Sequence, residues 1–151
     1  MPADATQFDA PPVNDRGRYF DPDVPDDEKT FGLLGHLSVL GHLIVPVVAI
    51  ITPIVLYSMK KKEAPFAADH LREAINFQIT LILYSVVLPI VVTIFGVLTL
   101  GIGLLLLIPV AFLPYILGLV GVIMASMAAQ RGEYYRYPMT IRFLHEPARA
   151  A

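Results

Sequence analysis

The stretch that decides the fold is Ala74 to Gln130, AINFQITLILYSVVLPIVVTIFGVLTLGIGLLLLIPVAFLPYILGLVGVIMASMAAQ, in which 57 consecutive residues contain no Asp, Glu, Lys, Arg or His. A soluble helix or strand has one wet face and breaks its apolar runs with charge. A bilayer core about 30 Å thick instead takes roughly 20 apolar residues per helical crossing. One helix of this length would extend about 85 Å at about 1.5 Å per residue, so the run must fold back as two crossings. Gly96, Gly101 and Gly103 cluster near its middle beside Thr93 and Thr99, and glycine is the residue that turns a chain at least cost. The reading is a tight helical hairpin with crossings at about 76–96 and 102–129.

Upstream, Phe31 to Met59 holds 29 residues with no charged side chain except whatever His36 and His42 carry. This predicts a further crossing at about 33–59, tilted or kinked by Pro46 and Pro53. The expected fold class is therefore an all-α integral membrane protein with three transmembrane helices. A short interfacial amphipathic helix, starting near Asp69 as its cap, is expected between the first and second. It places Asp69, Arg72, Glu73 and Asn76 toward water or a partner. Every crossing contains an interior proline, which reads as bent packing because no carboxylate or arginine lies within the apolar runs to build a transport site.

Composition agrees with a membrane location: 56% of the 151 residues are hydrophobic. The formal net charge is −2, and no basic tract suits a nucleic acid. Cysteine is absent, which removes disulfides, thiolate nucleophiles and thiolate metal ligands. No basic segment followed by an apolar one marks a cleaved leader, so the first crossing is expected to direct insertion. Residues 1–30 carry eight acidic side chains among five prolines, with Arg16, Arg18 and Lys29. They read as a solvated, disordered or extended arm, with Phe8, Tyr19 and Phe20 available to anchor it on a partner or the membrane surface. The module 31–144 follows, and 145–151 is a tail. Lys60, Lys61, Lys62 and Arg72 lie in one loop, while Arg131, Arg136 and Arg142 follow the last crossing. With three crossings both clusters fall on one side, cytoplasmic by the positive-inside rule, and the acidic N-terminus lies outside.

Few residues point to chemistry. His36 and His42 are six apart, about 120° around a helix, so they share no face for a metal. His70 and Glu73 can face together, but two ligands are too few. No nucleophile elbow and no phosphate-binding glycine loop is present, so no enzyme, cofactor or metal is expected. His70, Arg72, Glu73, Asn76 and Gln78, with Tyr137 and Arg142, are the candidate polar cluster. Arg72, Glu73 and Asn76 are expected to bond the Tyr137 to Arg142 segment. Lys60, Lys61 and Lys62 are candidates for lipid headgroups. Gly118, Gly121, Ala125 and Ala129 form a small-residue row for helix packing, by default within the chain.

Several of these motifs occur together in a known family. His36-Leu37-Ser38, Pro53-Ile54-Val55-Leu56 before the lysines, Pro65-Phe66, Arg72-Glu73-Ala74-Ile75-Asn76-Phe77-Gln78 and Tyr137-Pro138-Met139-Thr140-Ile141-Arg142 together resemble the bacterial domain-of-unknown-function family 4870, grouped with Tic20-like import proteins. The resemblance spans about residues 31–144 and implies a helical fold and membrane location. The chain departs from it in the longer stretch between Gly41 and Pro53 and in the acidic arm. The expected function is a non-enzymatic accessory or scaffolding subunit in the bacterial cytoplasmic membrane, with lipids and other membrane subunits as partners. The alternative is a Tic20-like translocation or transport component forming a homo-oligomeric path.

Overall fold

The structure is a computed structural model that describes residues 12–43 and 45–145. Residues 1–11, with Phe8, and 146–151 lie outside the described residues, as does the side chain of His42. Four α-helices form in the order α1 (Asp26–Leu37), α2 (Pro46–Lys60), α3 (Pro65–Leu98) and α4 (Leu107–Gln130). Short 3-10 segments, Ser38–Leu43 and Ile102–Leu106, precede α2 and α4. Among the described residues there is no strand, only two isolated antiparallel bridges, Val13 with Tyr19 and Phe20 with Glu133.

The apolar run 31–59 is not one crossing. It folds back on itself through the 3-10 turn, and Val45 takes the extended conformation (φ −138°, ψ 88°) that a residue before proline prefers. Pro46 then opens α2 at a position where its missing N–H costs nothing. The two arms approach closely at the turn, where a Cβ on Gly41 would lie 3.1 Å from that of Ala49. With 15 residues α2 is about 22 Å long, short of a bilayer core. Two helical segments, Pro65–Leu98 and Ile102–Gln130, are long and apolar enough to cross a membrane. Among the described residues two helices, where three were expected, reach that length.

The expected interfacial helix is not separate either. It forms the first turns of α3, which runs unbroken through 34 residues and about 51 Å. Asp69 does not cap it. Glu28 of α1 reaches across instead, its Oε2 accepting from the N–H groups of Phe66 (3.0 Å) and Ala67 (3.2 Å). A carboxylate there satisfies two orphan donors and complements the positive end of the helix dipole.

The hairpin between α3 and α4 turns where glycine permits. Gly101 adopts φ 94°, and its N–H closes the end of α3 on the Gly96 carbonyl at 2.7 Å. Beyond Ile79 both helices present apolar side chains outward, up to Leu100 at the tip, 96% exposed. The opposite end is different. Gly132 (φ 71°) ends α4, and Glu133 N–H bonds back to Ala128 O at 3.0 Å, a Schellman-type cap. A Cβ on Gly132 would sit 2.6 Å from the Asp21 carbonyl, because residues 12–25 pack there. A free arm on the far side of the membrane is the sequence expectation for that segment, yet Tyr134 N–H donates to Tyr19 O and Asp21 N–H to Gly132 O, each at 2.9 Å. Residues 12–25 and 131–145 therefore share one end of the bundle, which overturns their placement on opposite sides. The boundary at residue 30 falls inside α1.

The small-residue row of α4 packs within the chain. Gly118 lies under Phe77 and Leu81, Gly121 against the Tyr137 ring, and Ala129 against Gly32 of α1, while Ala125 is fully buried. A Cβ at Gly121 would come within 2.9 Å of that ring. We expect Gly121→Leu to unseat Tyr137 and to lower stability by about 1–3 kcal/mol. Thermal unfolding in detergent, with protease access to residues 133–145, measures both; a wild-type midpoint and cleavage pattern would refute this seating of the ring.

Candidate functional site: the polar head of the bundle

The spacing along α3 creates the site. Asp69, Glu73, Asn76, Thr80 and Tyr84 recur every three or four residues and so form one stripe. Onto this stripe the chain lays its own C-terminal segment. Arg136 forks onto both carboxylate oxygens of Asp69, which also holds Arg72. Glu73 accepts the Tyr137 N–H at 2.9 Å and pairs with Arg142 at 3.3 Å. Asn76 Oδ1 accepts from Phe143 N–H (3.0 Å) and Leu144 N–H (2.8 Å), while its Nδ2 donates to Leu144 O at 2.9 Å. Thr80 Oγ1 accepts from Ile141 N–H at 3.0 Å, and the Tyr84 hydroxyl donates to Met139 O at 2.9 Å. The segment descends along α3, reverses where Met139 takes φ 62°, and returns. The side chains expected to face water or a partner are buried: Asp69, Arg72, Glu73 and Asn76 are all under 9% exposed. The surface that covers them is the chain's own.

Beneath this ladder runs a second network that sequence reading did not find. The His36 and His70 rings are both fully buried, and their Nε2 and Nδ1 atoms lie 2.8 Å apart. His70 Nε2 lies 3.1 Å from Glu133 O, and the Tyr137 hydroxyl is 3.0 Å from His36 Nδ1. A carbonyl can only accept, so His70 donates from Nε2 and accepts at Nδ1; His36 then donates from Nε2 and accepts the Tyr137 O–H. Both rings are neutral in this arrangement. Burial pushes the Tyr137 phenol well above its ordinary pKa, which keeps its proton available. The pairing of His36 is with a residue 34 positions away, so its spacing from His42 was no guide.

Glu133 is the third element. Its buried carboxylate accepts from Arg131 Nε (2.8 Å), Arg16 Nη1 (2.6 Å) and Arg18 Nη1 (3.2 Å). The Arg131 hydrogen bond leads in holding its pKa down to about 2 against the opposing effect of burial, with Arg16 and Arg18 adding to it. The Arg18 guanidinium also lies over the Tyr135 ring, 5.0 Å from its centroid. The only sequence signal for this hub is one acid beside a helix-ending glycine, with arginines on both sides.

The other candidates lie apart from these networks. Gln78 turns toward α1 and donates to Ser38 Oγ at 2.9 Å. Lys60 sits over the Phe31 ring at 4.5 Å, while Lys61 and Lys62 are exposed at the corner between α2 and α3. Among the described residues no group of three or more His, Cys, Asp or Glu side chains is arranged to hold a metal ion.

A profile of the magnetosome magnetite crystal formation protein family, MamF/MmsF, matches residues 27–144. The chain belongs to that family. This replaces the resemblance to family 4870 and its Tic20-like relatives, whose shared motifs fall within the same span. Searches of curated proteins and of solved structures each gave no match. The MamF/MmsF span opens one residue into α1 and closes on Leu144, whose backbone Asn76 holds at both N–H and C=O. It includes the histidine chain and the whole α3 ladder, while Arg16 and Arg18 lie before it.

Both networks can be tested by substitution. His70→Leu strands the Glu133 carbonyl and the His36 Nε2–H in a buried site, and is expected to cost at least about 2 kcal/mol. Lys29→Ala, which removes an exposed pair with Asp26, is expected to cost no more than about 1 kcal/mol. Equal thermal midpoints for the two variants would count against the histidine chain. For Glu133 the folded pKa lies below the ordinary 4.5, so its contribution is complete above that value and is lost as pH falls toward about 2. A spin label at Tyr19→Cys is expected to gain mobility over that interval, and a spectrum unchanged down to about pH 2 would disprove the clamp.

Proposed function

We propose that the chain is a non-enzymatic membrane protein of magnetite crystal formation, acting as an accessory or scaffolding subunit that packs against other membrane proteins. The family membership supports the process, and one structural observation supports the mode of action. Most buried polar groups of the head are engaged by the chain itself, whereas the α3 and α4 hairpin turns an uncharged, mostly apolar surface outward. Such a molecule offers surfaces rather than a reaction site.

In this reading the hairpin from Ile79 to Met127 is embedded, and the head with 12–25, 60–65 and 131–136 stands on one side. Lys60, Lys61, Lys62, Arg131, Arg136 and Arg142 all lie at that end, which favours the cytoplasmic side. Lys61 and Lys62 contact anionic headgroups, a contribution of about 1 kcal/mol per residue.

The test is mild-detergent extraction of magnetosome membranes from magnetite-forming cells, with sizing and mass spectrometry of what co-migrates, beside crystal size in cells lacking the chain. Stoichiometric membrane proteins in a common assembly, with altered crystals in the deletion, are the expected result. A chain that migrates alone, with crystals unchanged in its absence, would overturn the proposal.

A further inference from the structure

The loop 137–144 is unlike the rest of the head. It carries Met139, Ile141, Phe143 and Leu144 with their side chains outward, Met139 at 74% and Phe143 at 49% exposed. It is also not at the top of the head. Its bonds to Asn76, Thr80 and Tyr84 place it along α3 at the level of Ile79, Ile82 and Leu83, which are themselves exposed and apolar.

We propose that residues 137–144 are a membrane-dipping loop, whose apolar side chains enter the boundary between lipid headgroups and acyl chains. This rests on the membrane placement of α3 and α4 proposed above. Three observations carry it. First, Arg142 and Pro138 aside, the exposed side chains of the loop are the apolar Met139, Ile141, Phe143 and Leu144, held beside the exposed apolar residues of α3.

Second, non-helical backbone survives at membrane depth only where its polar groups find partners. Here helix side chains supply partners for four of the loop's N–H groups and for the carbonyls of Met139, Ile141 and Leu144, while the buried Thr140 hydroxyl has none among the described residues. Glu73 takes the Tyr137 N–H, Thr80 that of Ile141, Asn76 those of Phe143 and Leu144, and Tyr84 donates to the Met139 carbonyl. Pro138 has no N–H to satisfy. For a loop in water this arrangement would be superfluous, since water would serve.

Third, Arg142, the one charged residue of the loop, pairs back toward the head. Arg136 and Arg142 pair with Asp69 and Glu73, about three to four turns of α3 nearer the head than Tyr84. From Glu73 to Tyr84 is about 16 Å along the helix, enough to pass from the headgroup level into the acyl region.

The chain has neither tryptophan nor cysteine, so one introduced tryptophan reports its own surroundings. Met139→Trp and, as a second site, Phe143→Trp are made in the full chain and reconstituted in phosphatidylcholine vesicles. Ile94→Trp and Asp15→Trp serve as embedded and aqueous references. The expected result is blue-shifted emission and strong quenching by brominated phosphatidylcholine at 139 and 143, as at 94, with little quenching by acrylamide. Acrylamide quenching at 139 and 143 with lipid quenching at 94 overturns the loop proposal and leaves the membrane placement standing. Acrylamide quenching at 94 as well overturns the placement itself. Protection of 139 and 143 from both quenchers means that protein covers the loop, which also overturns the proposal.

Discussion

A carbonyl oxygen accepts and never donates, and the protonation of the head's interior depends on that. Glu133 O sets His70, His70 sets His36, and His36 requires the Tyr137 proton. The chain joins α1, α3 and the segment after α4, so three separate parts of the sequence share one hydrogen-bond direction. Charging either ring would force a donor against a donor or reverse the tyrosine, in a fully buried site. Geometry and burial thus agree on a neutral network. Phe66, edge to Tyr134 and tilted over His70, closes the apolar shell around it.

The charged groups are handled by a different rule. Asp69, Glu73 and Glu133 are each buried, and each meets at least one arginine together with further donors. Burying a carboxylate is costly unless its partner is well aligned, and the guanidinium fork provides that alignment. Asp69 and Glu73 bind the C-terminal segment to α3, and Glu133 binds residues 12–25 to that same segment. The extended C-terminal segment obtains from a helix face the hydrogen bonds that a strand would obtain from a neighbouring strand. Side chains spaced three and four apart on α3 stand in for a sheet edge.

The α3 and α4 hairpin was legible because its signal is length: no soluble arrangement leaves so long a run without charge, and glycine marks the turn. The same criterion misread residues 31–59, where an apolar run long enough to span is folded in half. Its markers were present in Gly41 and in the Val45-Pro46 step, but run length does not weigh them. Composition identified the polar residues of α3 and the segment after α4 as their expected partner, but not the register: Glu73 takes Tyr137 and Arg142, whereas Asn76 takes Phe143 and Leu144 beyond the expected span. His36 with His70, and Glu133 with Arg16, depend on contacts across tens of residues or more, and spacing carries no information at that range. The family 4870 resemblance rested on short motifs within a span that the MamF/MmsF profile matches as a whole.

Sidedness shows how one local error propagates. Counting crossings assigns each loop by parity, so reading one hairpin as a single helix separates the N-terminal segment from residues 131–145, with which it shares one end of the bundle, while leaving the basic loops together. In the structure each hairpin returns the chain to the end from which it left: α1 and α2 bring it back to the lysines, α3 and α4 to Gly132. The basic loops agreed with one another under either count, so their agreement could not discriminate. Contact does discriminate. Arg16 and Arg18 of the early segment reach the same carboxylate as Arg131 of the late one, and charges that share a hydrogen-bonded partner cannot be separated by a bilayer.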